Sequence, residues 1–121
     1  RSAQALGHDL EPILRMSPAL WCAAADGQVA ALAELEAGWK KWMERSKEPH
    51  YGSVGHDLVK GRRTEIDYTC GYVAAMGEQV GLPAPTQARL TALVKQVERG
   101  EIARGMHNLN EFISERAAPA R

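Results

Sequence analysis

The sequence predicts an all-α protein, a bundle of helices joined by short loops. In the longer segments, apolar residues recur at steps of three and four, which places them on one face of a helix. Nowhere do four or more residues alternate apolar and polar side chains with β-branched enrichment, so no strand is predicted. Several glycines and prolines fall between the periodic segments and mark their ends.

The first half of the chain is predicted to form four helical segments. Residues 1–7 are typical of the last turns of a helix that ends at a glycine, and 8–14 of a short helix with a proline near its start. Pro18 is expected to open the next helix, over 19–25. A longer helix is predicted over 28–45, with this apolar face: Val29, Leu32, Ala33, Leu35, Trp39, Trp42 and Met43.

Two tryptophans, Trp39 and Trp42, lie on that apolar face. A pair of this kind is more often part of the core, or of a contact between subunits, than a stacking platform for a ligand. A further hypothesis is a helical adaptor that binds another protein through the two rings.

The second half of the chain is predicted to form helices over 53–60, 64–80 and 86–99, and one more short helix within 101–115, before a frayed tail over 117–121. Serine or threonine begins each of the first three helices, where a hydroxyl can accept from a free backbone N–H. A glycine follows each of these three helices and ends it.

Residues 53–71 hold the densest group of candidate functional side chains. Thr64 and Asp67 form a capping box with aspartate in the place of the usual glutamate. Glu65 falls in the first helical turn, where the helix dipole stabilises a carboxylate by roughly 0.3–1 kcal/mol. Two interpretations remain open: a structural helix start preceded by solvated cations, or a functional site built around an ionised carboxylate.

Length, composition and charge argue against several classes of protein. The chain has 121 residues, which suits one domain with one core, and 45% of them are apolar and 25% charged. Its formal net charge is zero, which argues against non-specific binding to nucleic acid. No apolar run reaches the roughly 18 residues of a membrane span, and no signal peptide is recognisable. We therefore expect neither nucleic acid nor membrane as a partner.

The spacing of cysteine and histidine predicts neither a disulfide nor a metal site. Cys22 and Cys70 are far apart and are expected to be free thiols, with Cys70 buried and inert, which favours a cytoplasmic compartment. The chain has no G-x-G-x-x-G motif, so no dinucleotide-binding unit of its own is predicted. Four histidines lack the spacing of zinc ligands: His8, His50, His56 and His107.

Several motifs between about residues 51 and 100 occur in a recognisable order and spacing. They are Ser53-Val54, Asp57, Gly61-Arg62, Thr64-Glu65-Ile66-Asp67, the turn Gly81-Leu82-Pro83-Ala84-Pro85 and the apolar helix with Leu90, Leu93 and Val94. In these motifs the sequence resembles the C-terminal domain of the 2-dehydropantoate 2-reductase (ketopantoate reductase) family. Before residue 51 the resemblance is weak.

The resemblance implies a fold and a reaction. Family members join an N-terminal Rossmann domain, which binds NADPH, to an all-helical C-terminal domain that closes the cleft and often forms a dimer. The implied fold is the helical bundle of the C-terminal domains of ketopantoate reductase and 6-phosphogluconate dehydrogenase. The whole enzyme would reduce a 2-oxo acid, ketopantoate, to pantoate in pantothenate and coenzyme A biosynthesis.

The same resemblance implies a domain organisation and a set of partners. We expect residues 1–121 to be a single helical C-terminal domain, truncated at its N-terminus and without a Rossmann domain. The expected partners are a 2-oxo acid substrate, an N-terminal Rossmann domain and a second copy of the chain in a homodimer.

Two residues carry family roles by position, and they are twelve residues apart as in the family. Ser53 matches the serine that binds the carboxylate end of the substrate. Glu65 matches the glutamate that contacts the nicotinamide cofactor and helps to order the catalytic lysine. That proton-donating lysine, which the family carries in a Lys…Asn…Asn pattern, is not found in this sequence, so this chain alone is expected to be inactive.

The sequence departs from the family pattern at a few positions. Val54 stands where methionine is usual, Thr69-Cys70 where Leu-Asn precedes Gly71, and Gln87 where asparagine is frequent. The loss of that asparagine changes local hydrogen bonding and leaves the identity of the substrate open. The alternative hypothesis is a stand-alone helical module without catalysis, which dimerises or binds a ligand.

Overall fold

The protein is all-helical, as the sequence predicts. The computed structural model describes residues 1–45 and 52–110, and no strand occurs in these two ranges. Two 3-10 helices, Ile66–Tyr68 and Met106–Leu109, accompany the α-helices of the described chain. The α-helices are α1 (Ser2–Ala5), α2 (Pro18–Ala25), α3 (Val29–Glu44), α4 (Ser53–Val59), α5 (Cys70–Gln79) and α6 (Pro85–Glu98).

The chain forms two compact units, Arg1–His50 and Tyr51–Arg121. In the first unit, α2 packs against α3. Ser17 caps α2, because its hydroxyl accepts from the backbone N–H of Leu20 at 3.3 Å, and Pro18 follows as the first helical residue. Within the described chain, no helix is long and apolar enough to cross a lipid bilayer.

The predicted short helix over 8–14 is wrong. Residues Ile13 and Met16 instead pair through two backbone hydrogen bonds of 3.1 and 2.9 Å. Leu14 and Arg15 between them have φ values of 52° and 64°. Two successive residues with positive φ form a tight reversal of the chain, which is incompatible with a right-handed helix.

The long helix is confirmed, but its apolar face is mostly uncovered. Leu35 is buried as predicted, and Ala31 is buried beside it. Trp39 and Trp42 are 46% and 45% exposed, with their ring centroids 5.8 Å apart and their planes tilted by 43°. The prediction that this face is buried therefore holds for Leu35 but not for the two tryptophans.

In the second unit, α5 packs against α6, and both contact the 3-10 helix Ile66–Tyr68. The predicted continuous helix over 64–80 is wrong, because the chain breaks at Thr69 with φ −109° and ψ −96°. The Thr69 hydroxyl donates to the backbone carbonyls of Glu65 and Ile66, each at 3.3 Å. Because these two carbonyls accept from the side chain of Thr69, the helical hydrogen-bond pattern is interrupted here. A separate helix, α5, then starts at Cys70.

Two predicted caps are also wrong. Gly52 and Ala84 occupy the N-cap positions of α4 and α6, rather than Ser53 and Thr86. Pro85 is the first residue of α6, where its missing N–H costs nothing. Of the predicted helix over 101–115, the described part contains the 3-10 helix Met106–Leu109; the remainder and the tail lie outside the described residues.

The end of α5 brings two stretches of backbone very close together. Gly81 has φ +70°, and the N–H of Leu82 donates to the carbonyl of Gly77 at 2.8 Å, which closes a Schellman turn. A Cβ atom at Gly77 would lie 2.5 Å from the carbonyl oxygen of Leu82. Glycine is therefore the residue that allows this turn to close.

We predict that Gly77→Ala destabilises the protein by about 1–3 kcal/mol, the usual cost of overpacking, because the added methyl meets backbone that cannot move without opening the turn. Gly38→Ala is the matched control. Its Cβ would meet the Sδ atom of Met16 at 2.7 Å, and this atom lies in a flexible side chain that can move away.

Urea unfolding of both variants checks the prediction. Gly38→Ala should stay within about 1 kcal/mol of the wild type, since alanine also improves helix propensity. Equal losses in the two variants would contradict the close backbone approach at Gly77.

Candidate functional site

The structure brings together the two side chains that the sequence singles out. Ser53 is the first residue of α4, and Glu65 immediately precedes the 3-10 helix Ile66–Tyr68. The hydroxyl of Ser53 donates a hydrogen bond to Oε1 of Glu65, and both side chains are exposed. The predicted capping role of Ser53 is wrong, because its hydroxyl is directed to Glu65 instead.

The backbone around Glu65 is held by hydrogen bonds on both sides. The carbonyl of Glu65 accepts from the N–H of Tyr68 at 2.9 Å and from the hydroxyl of Thr69 at 3.3 Å. On the other side, the hydroxyl of Thr64 accepts from the N–H of Ile66 at 3.2 Å. The carboxylate thus projects from a short segment in which the carbonyl of Glu65 and the N–H of Ile66 are paired.

The buried side chain of Ile66 fixes this short segment, residues 64–67, to the hydrophobic core. Its side chain is 2% exposed, which makes it the most buried of the core residues in the described chain, and Thr64 is also buried. A Cβ atom at Gly71 would lie 3.3 Å from the carbonyl oxygen of Ile66 and 3.4 Å from a methyl of Thr91. Since position 71 is glycine, α5 can approach the segment this closely.

Helix α6 holds the segment through two polar contacts. Oε1 of Glu98 accepts from the backbone N–H of Thr64 at 2.6 Å. Nζ of Lys95 lies 2.8 Å from Oδ2 of Asp67, whereas the guanidinium of Arg63 is 3.9 Å from the same oxygen. Lys95 is therefore the stronger partner of Asp67.

The predicted capping box is wrong in its second half. Asp67 pairs with Lys95, and the N–H of Thr64 that it was expected to accept from binds Glu98 instead. Hydrogen bonds from the hydroxyl of Thr64, and then from its backbone N–H, hold the pKa of Glu98 below the ordinary value of 4.5. The carboxylate of Glu98 on α6 thus accepts the hydrogen bond that Asp67 was expected to accept.

Beside Glu98 lies a concave region of about 310 Å³. It separates the end of α4 from the end of α6, and Arg99 on its rim is paired with Glu101 at 2.5 Å. Because cations suit the C-terminal ends of helices, the arginines here are explained by the helix dipoles. The lining residues are Leu58, Gly61, Arg62, Arg63, Val97, Glu98 and Arg99.

Other chemistry is not assembled in the described chain. Over residues 1–45 and 52–110, no group of three or more histidine, cysteine, aspartate or glutamate side chains is placed to hold a metal ion. Both cysteines are free thiols, and Cys70 is half-buried rather than buried as predicted. Cys22 lies 3.3 Å from the side-chain oxygen of Gln4. Of the four histidines, His50 lies outside the described residues.

The all-helical second unit thus presents a hydroxyl and a carboxylate, joined by a hydrogen bond, on its surface. The family model for the C-terminal domain of ketopantoate reductase (PanE/ApbA) matches residues 13–98 of this chain. The chain belongs to the ketopantoate reductase family, and the matched region is its C-terminal domain. The match begins well before residue 51, so it includes most of the first unit.

One curated relative adds to this finding. The 2-dehydropantoate 2-reductase of Pyrococcus horikoshii is 39% identical to this chain over 56 residues. The matched residues are 46% of this chain and 18% of that protein, so the similarity covers less than one fifth of the relative. No solved structure matches the chain.

Sequence reasoning identified Ser53 and Glu65 but missed the two residues on α6. Lys95 and Glu98 are three positions apart, as are Thr64 and Asp67. Each pair combines a carboxylate with a group that can bind the carboxylate of the other pair, and this equal spacing is the signal of pairing that the sequence carries.

The exposed hydroxyl–carboxylate pair has clear chemical capabilities. A serine hydroxyl can donate to a carboxylate and accept from another donor, whereas an ionised glutamate accepts from hydroxyl and ammonium groups. Charge-assisted bonds of this type are about twice as strong as neutral ones. A molecule with a hydroxyl or an ammonium group would therefore find an oriented acceptor in Glu65.

We predict that Glu98→Gln lowers the free energy of unfolding at pH 7 by about 1 kcal/mol. A hydrogen bond to a charged group contributes roughly 1.5–3 kcal/mol, and partial exposure reduces this value. Because the folded-state pKa of Glu98 is depressed, its stabilisation is present above the ordinary value of 4.5 and is lost as the pH falls through the folded-state pKa.

Urea unfolding at several pH values tests this expectation. The stability difference between wild type and Glu98→Gln should shrink towards zero as the pH falls below 4.5. Glu78→Gln, an exposed position on α5, controls for the loss of a surface charge. A difference that stays constant with pH would show that the charge of Glu98 is not what stabilises the fold.

Proposed function

We propose that this chain is the substrate-closing domain of an NADPH-dependent 2-oxo acid reductase, with ketopantoate as the substrate and pantoate as the product. Family membership supports the proposal at the level of the domain. The observation that carries it is the hydrogen bond from Ser53 to Glu65, which joins two residues that are twelve positions apart in the chain.

In this proposal the two residues have separate roles. Ser53 donates its hydroxyl hydrogen bond to the carboxylate of the 2-oxo acid once substrate is present, and Glu65 then accepts from a hydroxyl of the cofactor or from a lysine ammonium. The exposed position of both side chains is consistent with such an exchange of partners. The existing bond keeps the hydroxyl and the carboxylate oriented before a ligand arrives.

The residues of this chain fit one part of the cofactor, a ribose hydroxyl, rather than the whole dinucleotide. An ionised carboxylate suits a ribose hydroxyl, and Glu65 is exposed, so it can accept such a bond. NADPH, when bound, supplies the hydride for the reaction. Since the sequence has no glycine-rich dinucleotide motif, we propose that an N-terminal Rossmann domain holds most of the cofactor.

The proton donor is the missing part of the reaction. In the proposal, a lysine outside this sequence donates the proton, and Glu65 orders that lysine through its ammonium group. The chain by itself is therefore inactive, and activity belongs to the whole protein. We place that protein in the cytoplasm, which agrees with two free thiols.

The proposal is tested on the whole protein that contains this domain, by NADPH oxidation with ketopantoate. Glu65→Gln should lower kcat/KM by about 10- to 100-fold, because a charge-assisted hydrogen bond contributes roughly 1.5–3 kcal/mol. Ser53→Ala should act mainly by raising KM for the 2-oxo acid, since it removes a contact to the substrate.

Glu78→Gln is the control for these kinetics, because it removes an exposed carboxylate from the same unit and should leave kcat/KM unchanged. Absence of NADPH oxidation with any 2-oxo acid would overturn the proposal. So would an unchanged kcat/KM in Glu65→Gln.

A second candidate function, a helical module that dimerises, is favoured by the uncovered face of α3. Trp39 and Trp42 are nearly half exposed, and Trp39 lines a groove of about 470 Å³. Exposed aromatic residues of this size are typical anchors of protein interfaces. We propose a homodimer through this face, which is compatible with a role as a reductase. The lining residues are Trp21, Leu32, Leu35, Glu36, Trp39, Lys40, Met43 and Glu44.

For this surface we predict that the double variant Trp39→Ala, Trp42→Ala weakens self-association at least tenfold, since loss of an interface anchor costs about 2 kcal/mol or more. Sedimentation of the whole protein over a range of concentrations measures the change. Lys41→Ala, on the same helix, is the control. A wild-type protein that stays monomeric at high concentration would contradict the dimer, and unfolding of the double variant would show that the rings belong to the core.

A further inference from the structure

Helix α6 contacts the segment that carries Glu65 at two points. We propose that Glu98 and Lys95 of α6 are positioning residues, which hold the segment 64–67 from both ends and thereby fix the direction of the Glu65 carboxylate. This inference rests on the proposed function, because it assigns a task to residues that support the proposed site. We call the two contacts, Thr64–Glu98 and Asp67–Lys95, the α6 clamp.

The geometry of the α6 clamp places Glu65 between its two contacts. The N–H of Thr64 is 2.6 Å from Oε1 of Glu98, and Oδ2 of Asp67 is 2.8 Å from Nζ of Lys95. Thr64 and Asp67 are three residues apart, and so are their partners Glu98 and Lys95. The order is reversed, because the first residue of the segment contacts the later residue of α6. Glu65 and Ile66 are the only residues between Thr64 and Asp67.

The Glu98 contact acts directly on the backbone next to Glu65. The N–H of Thr64 lies in the rigid, planar peptide that ends at the Cα of Thr64, and only the φ and ψ of Thr64 separate this peptide from the next one, which ends at the Cα of Glu65. The hydrogen bond to Glu98 therefore restrains the backbone one residue before Glu65. A side chain that bonded only to another side chain would have a much weaker influence on this position.

Burial makes the α6 clamp effective. Ile66 is 2% exposed and Thr64 is 8% exposed, so the segment is fixed by packing on one side and by α6 at its ends. Asp67 and Lys95 are each about one third exposed. We therefore assign the larger share of the positioning to Glu98 and the smaller share to Lys95.

The carboxylate of Glu65 is the part that needs this support. It is exposed, and Ser53 is the hydrogen-bond donor that the described structure assigns to it. A charged side chain on the surface loses its direction easily when the backbone beneath it moves. A misplacement of about 1 Å at a catalytic site costs up to about 100-fold in rate.

A double-mutant cycle in the whole protein tests the inference. Glu98→Ala should lower kcat/KM about tenfold in the wild-type background, with most of the change in kcat or in KM for the cofactor. In the Glu65→Gln background the same change should cost less than about twofold, because a positioning residue has nothing left to position. Glu98→Gln keeps an oxygen acceptor and should restore most of the activity.

Two further variants sharpen the cycle. Lys95→Met should follow the direction of Glu98→Ala with a smaller loss. Glu101→Gln removes a carboxylate that pairs with Arg99 at 2.5 Å, outside the α6 clamp, and should leave kcat/KM unchanged. A loss that is equal in the wild-type and Glu65→Gln backgrounds would overturn the positioning role, since a merely structural defect is additive.

A second measurement does not depend on activity. In Glu98→Ala, amide hydrogen exchange of Ile66 and Tyr68 should accelerate about tenfold, whereas the amide of Val94 in α6 should keep its protection. Unchanged exchange at Ile66 and Tyr68 would overturn the α6 clamp whatever the kinetics show.

The two proposals fail in different ways. If Glu65→Gln lowers kcat/KM and Glu98→Ala does not, the positioning role is overturned and the proposed function stands. If Glu65→Gln has no effect, the proposed function falls, and with it the task assigned to the α6 clamp, even where the exchange experiment shows that Glu98 orders the segment.

Discussion

The local structure of the second unit depends on one hydrogen bond, from the backbone N–H of Thr64 to the carboxylate of Glu98. Through this bond Glu98, which lies 34 residues further along the chain, holds the backbone at the residue before Glu65. Packing and charge agree with it, since Ile66 is buried beside it and Lys95 binds Asp67 one turn away. An element that is remote in sequence therefore holds the backbone next to Glu65.

Most of the fold was predictable because it depends on local chemistry. The helices α2, α3, α4 and α6 lie within one residue of their predicted bounds, and α5 ends within one residue of its predicted end, since apolar periodicity and terminal glycines act over single turns. The turn at Leu14 and Arg15 was not predictable in this way, because positive φ at two ordinary residues has no strong local signal. The break at Thr69 was missed because a threonine hydroxyl competes for backbone carbonyls only in certain geometries.

The two residues that the sequence singles out lie together in the structure, but the contacts that support them were not predictable. Resemblance to the family identified Ser53 and Glu65, and the structure joins them by a hydrogen bond. Their support was assigned to the local sequence, in the capping box of Thr64 and Asp67, whereas the structure supplies it from α6. Contacts over long sequence distances follow from tertiary packing, which periodicity does not reveal.

The break at Thr69 has a consequence for how the domain tolerates change. The 3-10 helix ends at Tyr68 and α5 begins at Cys70, and Thr69 between them has non-helical dihedral angles, so the two segments are not one continuous helix. A substitution on the exposed face of α5 can rotate this helix about its own axis. No continuous helix transmits such a rotation to Glu65. Substitutions on the exposed face of α5 are therefore expected to leave the orientation of the Glu65 carboxylate unchanged.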